Sequence, residues 1–441
     1  KGSYSSFESV AMDVPSRNLL KGSVYSEDSG GDPLKIPTLS YDEYLEFHKK
    51  WYRPENCFVF LYGNISTSKQ LDFIQKNFLD KLEKNYTDTE LPLSVKKAII
   101  KNHIKLVSPH KVSEPLFVHA EGPGGEEKQK GNTVYVTWNM GPSKDAFSAM
   151  EKIFLTGILL NHDGSPLQKS LIDCELGEDT APGIGLDALY NTLFTVGLRG
   201  VKKTDTQKVV KTVFDTLTDI VKNGINQDDI DSTLMTLNFS HREIRRSRGP
   251  YALSIMNAPV NAWLYGYDIE KSFRLRSVLD EVRDNIKSKK GYLEKLIKKY
   301  FLDNKNYIVS EISPSKSYSL LREREEKKLL NSILSATSIE KIKKQNEKLK
   351  LFQQKKDDTS LLPHLSPKDF LKKGKRVSDS YELKIKTLKS FDNSKIDYFV
   401  SSENTNGVTY IDVGYPVDLV NIDDYPYLPL LSLNHNIQKS F

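Results

Sequence analysis

The chain has 441 residues, a length that corresponds to about three domains at roughly 150 residues each. Hydrophobic residues make up 38% of it, which is enough to fill packed cores and excludes a wholly disordered chain. The mean hydropathy is −0.49, and no apolar run reaches the ~18–20 residues that span a bilayer, so an integral membrane protein is excluded. The two cysteines, Cys57 and Cys174, exclude a disulfide scaffold.

The charge is only weakly unbalanced. Lysine and arginine together number 64 against 58 acidic residues, which gives a net charge of +6. Lysine outnumbers arginine by 51 to 13, whereas base-specific contacts to nucleic acid favour arginine. We therefore expect a solvated, lysine-rich surface and no nucleic-acid partner.

The first part of the chain predicts loops, helices and one strand. Residues 1–33 are rich in serine and glycine and are predicted to be loop-like. Ser40-Tyr-Asp-Glu43 has the form of a capping box and opens a predicted helix with one apolar face. That face consists of Tyr44, Phe47, His48 and Trp51. His48 is interpreted as a residue at the edge of a core and not as a metal ligand. Phe58–Tyr62 predicts a buried strand, and a second amphipathic helix follows over about 71–82.

Residues 83–130 are polar and irregular, and we interpret them as a linker or a long excursion. A new unit begins with the alternating strand Val134–Trp138. Helical spacing and stop signals then predict a regular series of elements. They are helices over 145–160, 165–177, 205–222, 227–246, 251–263, 273–287 and 291–302, with strands Leu193–Val201 and Tyr307–Ile312. The second of these helices is predicted to start with a capping box of Ser165 and Gln168, with Pro166 at its first position.

Residues 316–358 have a different composition, because 19 of these 43 residues are charged. Leucine and isoleucine recur at helical spacing on both sides of Ser335-Ala-Thr-Ser338. The pattern predicts two long, exposed helices in an antiparallel hairpin. A solvated spacer is the favoured interpretation, and a basic surface that contacts nucleic acid is the alternative.

An internal repeat indicates how the units are ordered. Residues 44–62 resemble residues 292–312, since both predict a helix, a short turn and a strand. The strand and helix that begin at Val134 resemble Val408–Val413 followed by Tyr425–Leu433. The chain is therefore divided into the end of a first unit, a linker, a complete second unit, a helical hairpin linker and the start of a third unit. Their ranges are 1–92, 93–130, 131–314, 315–375 and 376–441. A helix and a strand cannot bury both faces of the strand, so 1–92 and 376–441 are each expected to need parts outside this chain.

A search for catalytic motifs finds none that is complete. The eight histidines lie outside the H-x-x-E-H and H-E-x-x-H spacings that bring two imidazoles to one zinc ion. Gly183-Ile-Gly185-Leu-Asp-Ala188 partly fits a dinucleotide-binding loop, but no convincing strand precedes it and Pro182 stands in front. His241-Arg-Glu243 matches part of a deaminase motif, yet no P-C-x-x-C follows. The residues alone predict no catalytic residue and no metal ligand in this chain.

Several motifs resemble one protein family. Ser29-Gly-Gly-Asp-Pro33, Phe47-His48, Trp51-Tyr52-Arg-Pro54 and Tyr62-Gly63 resemble the presequence-protease and falcilysin branch of the pitrilysin/insulinase-like zinc metallopeptidases. Gly197-Leu-Arg-Gly-Val201 extends the similarity. The resemblance implies an α+β fold of repeated units, each a mixed, mostly antiparallel sheet with helices packed on one face, plus a long helical hairpin. It further implies a closed chamber in which short unfolded peptides are degraded.

The resemblance also implies which functional residues are missing. The family's H-x-x-E-H motif and third zinc ligand would lie upstream of Lys1, and its remaining catalytic side chains would lie in a fourth unit. We therefore expect an internal piece of a longer enzyme: zinc is the cofactor of the parent family, while this chain binds none. Without three protein ligands, no zinc ion activates water, so the chain alone is expected to be inactive.

One partial site is implied by the related insulin-degrading enzyme, whose second unit anchors the N-terminus of a substrate by edge-strand pairing. The matching positions are His162, Gly164 and Gly183, and ordinary turn residues are the alternative. The expected partners are unfolded peptides and the remaining units of the parent protein, with no membrane partner. The family suggests a mitochondrion, a plastid-like organelle or a digestive compartment. A non-catalytic relative that binds peptides or partners is the alternative function.

Overall fold

The structure is a computed structural model. It describes residues 2–52, 54, 57–81, 101, 103–124, 131–244, 249–336, 338–362, 364, 366–367, 384–389, 395–402, 404–414, 416–418 and 420–430. The chain divides into two compact units, Lys1–Leu383 and Lys384–Phe441, which we describe separately. The finer division predicted from the sequence stays a prediction.

The larger unit contains most of the regular structure. After a short turn of helix at Gly2–Ser5, the α-helices whose residues are described in full are α1 (Phe7–Leu19), α2 (Tyr41–Trp51), α3 (Thr67–Asn77), α4 (Ala146–Leu160), α5 (Pro166–Asp173), α6 (Thr206–Asn223), α7 (Gln227–Arg242), α8 (Tyr251–Tyr265), α9 (Ile269–Phe273), α10 (Leu275–Ser288), α11 (Tyr292–Ile297), α12 (Lys316–Ala336) and α13 (Ile339–Gln354). Its strands are β1 (Leu116–Pro123), β2 (Asn132–Pro142), β3 (Asp179–Thr180), β4 (Gly185–Ala188), β5 (Asn191–Val201) and β6 (Tyr307–Ser315).

The six strands form one mixed sheet in the order β1-β6-β2-β5-β3, with β4 also paired to β5. β1 is parallel to β6, whereas β6–β2, β2–β5, β5–β3 and β5–β4 are antiparallel. The predicted α+β class and the mixed, mostly antiparallel sheet are therefore confirmed.

The main core lies between the sheet and helices α4, α6, α10 and α11. Trp138 of β2 is fully buried, packs edge-on against Phe301 and donates from Nε1 to the Phe301 carbonyl oxygen at 3.2 Å. The indole therefore fills apolar space and also has its polar atom satisfied.

Helix α1 covers the other face of the sheet, so helices pack on both faces and not on one alone. Phe7 and Ala11 contact Tyr135 and Ile312 there. This arrangement explains why nine consecutive residues of β2 are buried, since alternation disappears when both faces are covered. The prediction that residues 1–33 are loop-like is wrong: Ser6 caps α1 by accepting from Ser9 N at 3.3 Å.

The segment 93–130, predicted as a linker, contains β1. Leu116, Val118 and Ala120 of this strand face the side that α1 covers. β1 pairs with β6, whose residues lie almost two hundred positions further along the chain. The local sequence of β1 does not contain this partner, so the strand could not be predicted from it. Residues 82–100 and 125–130, which include the end of the helix predicted over about 71–82 and parts of the predicted linker, lie outside the described residues.

Helix α2 has the predicted capping box, in which Ser40 and Glu43 bond reciprocally. Its apolar face is nevertheless exposed, with Phe47 at 58% and His48 also exposed, so the core-edge position predicted for His48 is not observed. Residues 57–62 are not in a strand, although a buried strand was predicted. A strand requires a hydrogen-bonded neighbour, and the described residues supply none for this segment. Phe58 instead packs against Trp263, with ring centres 4.1 Å apart.

The smaller unit is described by a hairpin of β7 (Lys386–Lys389) and β8 (Lys395–Tyr398) and a 3-10 helix, Ile422–Tyr427. Residues 408–413, predicted as a strand, are not in one. Of the helix predicted at Tyr425–Leu433, residues 428–430 are helical, and the last three positions lie outside the described residues. The two helices predicted for 316–358 are present as α12 and α13.

Candidate functional site

The edge of the main sheet beyond β5 is open. β3 and β4 each pair with β5 along their inner side, and the described residues place no strand along their outer side. Between them, Ala181 N donates to the Gly197 carbonyl oxygen at 2.9 Å, which keeps the chain along the edge. An edge strand presents unpaired backbone N–H and C=O groups, and an extended peptide can add to such a strand. We call residues 179–188 the open edge.

Gly183 lies in the loop of the open edge and has a specific conformational role. Its φ is +75°, a region that favours glycine. A β-carbon there would lie 2.9 Å from Met12 Sδ, because helix α1 passes close to the loop. The Tyr135 hydroxyl donates to the Pro182 carbonyl oxygen at 2.8 Å and holds the loop on the sheet.

Gly185 is the first residue of β4 and lies next to empty space. Its φ is +118°, and a β-carbon would meet no atom within 4 Å. Asp187 and Ala188, further along β4, are exposed. The strand therefore combines an accessible backbone with one exposed carboxylate. The segment Gly183–Ala188 partly fits a dinucleotide-binding loop in the sequence, but in the structure it forms the loop at Gly183 and strand β4. It does not form the strand, turn and helix that a dinucleotide-binding site requires.

His162 and Gly164 lie together in the turn between α4 and α5. Gly164 N donates to His162 Nδ1 at 3.1 Å, and His162 N donates to Ser165 Oγ at 3.2 Å. With Nδ1 accepting, the neutral imidazole has its hydrogen on Nε2. Ser165 Oγ is used in this turn, so the capping box predicted with Gln168 does not form and α5 has no side-chain cap. The helix also ends at Asp173, before the predicted Gly177.

The structure thus places the three predicted site residues in two separate turns. Helix α4 contacts β4 and helix α5 contacts β3, so the turn of His162 and Gly164 belongs to the helix layer beside the open edge. Gly183 lies at the opposite face, under α1. No hydrogen bond between described residues joins the two turns.

Sequence analysis missed β3 and β4 themselves. β4 has only four residues, Gly-Leu-Asp-Ala, and glycine and aspartate are depleted in strands. Two glycines close together, Gly183 and Gly185, were the available signal, since both adopt positive φ.

No group of three or more His, Cys, Asp or Glu side chains is placed to hold a metal ion in the described part of the chain. The described residues therefore do not fit a zinc site, and we derive no metal-dependent step from them. In that same part, no helix has both the length and the apolar character needed to cross a membrane.

Two family models match the chain. The model for the peptidase M16 inactive domain matches residues 38–237. A second model, for a segment associated with subfamily C of the M16 peptidases, matches residues 312–434.

Curated relatives align with almost the whole chain. Protein HypA of Clostridium perfringens is 29% identical over 98% of this chain and 42% of its own length. The mitochondrial presequence protease of Yarrowia lipolytica is 28% identical over 92% of this chain and 39% of its own length. The chain thus spans about two-fifths of the length of these relatives.

Among solved structures, the peptidase M16 inactive domain from Pseudomonas fluorescens is 16% identical, with a TM-score of 0.49 over 71% of this chain and 67% of that chain. The family models and the curated relatives agree with the family resemblance found in the sequence. The chain belongs to the pitrilysin/insulinase-like (M16) peptidase family.

Proposed function

We propose that this chain is an internal, non-catalytic portion of a zinc metalloendopeptidase that degrades short unfolded peptides in a closed chamber. In this proposal the chain binds the substrate backbone at the open edge, and zinc is held by parts of the parent enzyme outside this chain. The observation that carries the proposal is the unpaired outer side of β4, beside the space at Gly185.

An open edge suits substrates that are unfolded. Strand addition uses main-chain hydrogen bonds, so it selects for an extended backbone more than for a particular side-chain sequence. A folded protein has few free backbone groups to offer. Asp187 adds one exposed carboxylate beside the strand, which would favour a cationic group such as the N-terminal ammonium of a peptide.

Hydrogen–deuterium exchange tests the binding site directly. We expect an unfolded peptide of about 15 residues to slow exchange of the amides of Gly185–Ala188 and to leave those of β1, at the other edge of the sheet, unchanged. A peptide with N-methylated backbone amides is the matched control, because it keeps its side chains but loses donors. Equal protection of both edges, or protection by the methylated peptide, would contradict the proposal.

His162 and Gly164 are proposed to support this site from the turn beside it, and Gly183 from the loop of the open edge itself. His162→Ala removes the imidazole that fixes the Gly164 amide, and it is expected to weaken peptide binding severalfold. His48→Ala on exposed α2 is the control. Equal binding by both variants would assign these residues to ordinary turns.

The remaining units of the parent protein are proposed as partners. Phe47 of α2 is 58% exposed, and Leu71 and Phe73 of α3 are 58% and 67% exposed. Exposed apolar side chains on two amphipathic helices support a surface that packs against another element. Co-expression with the upstream part of the parent protein is expected to bury Trp51, which a blue shift of its fluorescence would report.

The alternative is a non-catalytic relative that binds peptides or partners. The reading frame upstream of Lys1 distinguishes the two: an H-x-x-E-H motif about 100 residues earlier supports the enzyme. A cleavage assay with a quenched fluorescent peptide is a second test. Chelator-sensitive cleavage by the 441-residue chain alone would overturn the non-catalytic assignment. A mitochondrial or plastid-like location is proposed from the relatives, with a digestive compartment as the alternative.

A further inference from the structure

The side chain of Lys152 reaches from helix α4 to the end of the main sheet and meets two hydroxyl groups there. Its Nζ lies 2.8 Å from the Gly141 carbonyl oxygen. The same atom lies 3.2 Å from Ser143 Oγ and 3.2 Å from Thr192 Oγ1, and the two hydroxyl oxygens are 2.9 Å apart. One amine and two hydroxyls thus form a triangle in which every pair is within hydrogen-bond distance. We call Ser143, Lys152 and Thr192 the amine–hydroxyl triangle.

The positive charge of Lys152 has no directly bonded carboxylate in the described part of the chain. Its hydrogen-bond partners there are neutral oxygen atoms, and the carboxylate of the adjacent Glu151 accepts from the Tyr292 hydroxyl. Lys152 is only 1% exposed, and burial of an ammonium group favours its neutral form. Burial and repulsion from Lys299 accordingly lower the pKa of Lys152 to about 8, and Glu151 offsets only part of this shift.

The amine–hydroxyl triangle completes its own hydrogen bonds when the amine is neutral. A neutral amine has two N–H donors and one lone pair, and each hydroxyl has one donor and two acceptor sites. The amine donates to the Gly141 carbonyl and to Thr192, and its lone pair accepts from the Ser143 hydroxyl. The Thr192 hydroxyl then donates to Ser143 Oγ, so no donor is left over. In the ammonium form, one of the two hydroxyls needs an acceptor outside the triangle. The arrangement therefore suits a neutral lysine that holds the proton of Ser143.

Ser143 is the accessible member of the amine–hydroxyl triangle. It is partly exposed, whereas Lys152 and Thr192 are each 1% exposed. The adjacent turn is open as well, because Gly141 has a φ of +76° and a β-carbon there would meet no atom within 4 Å. A small molecule can therefore reach the Ser143 hydroxyl from solvent, while the amine is shielded by burial.

We propose that Ser143 is a nucleophile for acyl transfer and that Lys152 is its general base, with small activated carboxylic esters as the substrates. A serine hydroxyl becomes nucleophilic when an adjacent base removes its proton, and serine–lysine pairs perform this step on unrelated folds. Thr192 is a positioning residue, because it holds the amine from the other side of the triangle. This inference is independent of the proposed peptidase function, since it involves neither the open edge nor zinc.

The reaction balances within these groups, the ester and water. The neutral amine of Lys152 takes the Ser143 proton while Oγ forms a bond to the carbonyl carbon of the ester. The bond from that carbon to the leaving alcohol then breaks, and the alcohol oxygen takes the proton from the Lys152 ammonium. Water attacks the resulting acyl-serine with the same amine as its base, which releases a carboxylic acid and restores the hydroxyl.

Labelling of the 441-residue chain with a fluorophosphonate probe tests the nucleophile. Mass spectrometry of tryptic peptides locates the adduct, which we expect on Ser143, and its rate should rise with pH around a midpoint of about 8. Lys152→Met is expected to lower the rate at least about 100-fold above this midpoint, and Ser143→Ala to abolish the adduct. Ser240→Ala, which removes an exposed serine of α7, is the control and should leave the rate unchanged.

Thr192→Val tests the positioning role through the pH profile. Loss of the Thr192 acceptor removes a hydrogen bond that is stronger to the ammonium than to the neutral amine, so the midpoint of labelling should move to lower pH. A midpoint that does not move would overturn the role of Thr192. This variant also decides the base if Lys152→Met loses its fold, which circular dichroism checks, because a midpoint set by Lys152 must respond to its partners.

Hydrolysis of p-nitrophenyl acetate is the second readout. We expect a burst of nitrophenolate that disappears in Ser143→Ala and that a zinc chelator leaves unchanged, which separates this site from the proposed peptidase function. Labelling of Ser143 no faster than that of Ser240 would overturn the proposal. Equal labelling rates in the wild type and in folded Lys152→Met would also overturn it.

Discussion

The guanidinium of Arg322 lies 3.2 Å from Oδ1 of Asp32 and ties helix α12 to the Ser29-Gly-Gly-Asp-Pro33 segment. The same guanidinium lies 4.3 Å above the ring of Tyr4, whose hydroxyl donates to Asp28 at 2.8 Å. This donation lowers the pKa of Asp28. One side chain of α12 therefore contacts both Tyr4 and the segment that carries the Ser29–Pro33 motif, so the helix is fixed to the N-terminal region at its first turns.

Removal of this link should destabilise the larger unit modestly. Arg322→Gln loses a partly exposed ion pair and a cation–π contact, and we expect the free energy of unfolding to fall by about 1 kcal/mol. A double-mutant cycle with Asp32→Asn in urea should give a coupling energy of about 0.5–1 kcal/mol that decreases with salt. Arg324→Gln on the same helix is the control, and an equal loss in that variant would show that the contact is not specific.

Gly197 shows why one family motif needs glycine. A β-carbon at Gly197 would lie 2.1 Å from the Val134 carbonyl oxygen, a backbone atom in the adjacent strand that cannot move without disturbing the sheet. We expect Gly197→Ala to lower the free energy of unfolding by at least about 3 kcal/mol, measured by denaturant titration. Gly2→Ala, where a β-carbon would meet no atom within 4 Å, should be nearly neutral. A neutral Gly197→Ala variant would contradict the observed register of β2 and β5.

At Gly183, the contributions of backbone strain and of a steric clash to the free energy of unfolding can be measured separately. Gly183→Ala should cost about 1–2 kcal/mol because of its positive φ, with an additional cost from the clash with Met12. Met12→Ala in the same chain should recover only the part due to the clash. If the double variant regains full stability, backbone strain is absent and the loop conformation described above is wrong.

Periodicity predicted the long elements well. The apolar stripe of α6 corresponds to an observed helix, because the pattern arises from burial of one helix face. The strand predicted from Val134 is also observed as β2, although both of its faces are buried. Helix α1 was missed although Phe7, Ala11 and Leu19 recur on one face and are buried, since the surrounding serine and glycine suggested a loop. The strand predicted at Phe58–Tyr62 failed for the opposite reason: a strand depends on neighbours that its own sequence does not contain.

The candidate site was predicted less completely than the fold. His162, Gly164 and Gly183 came from a family resemblance. The structure adds the open edge, which contains Gly183 and lies beside the helix layer that holds His162 and Gly164. β4 could not be predicted, because four residues give no period.

Lys152 is buried in the main core, 1% exposed, near the end of β2. Its Nζ donates to the Gly141 carbonyl oxygen at 2.8 Å and to the hydroxyls of Ser143 and Thr192 at 3.2 Å. These acceptors satisfy all three donors of an ammonium group. Burial nevertheless lowers the pKa of Lys152 to about 8, and the positive charge of Lys299 adds to the effect.

This shift predicts a stability that depends on pH. Between about pH 8 and 10 the unfolded chain retains the lysine proton, whereas the folded chain loses it, so the unfolded state binds more protons and stability increases with pH. We expect the difference in unfolding free energy between the wild type and Lys152→Met to grow by up to ~1.4 kcal/mol per pH unit in this window. Tyrosine titration cancels in the difference, since both proteins contain the same tyrosines. A difference that stays flat from about pH 7.5 to 9.5 would mean that the three acceptors hold the proton on Lys152 against the effect of burial.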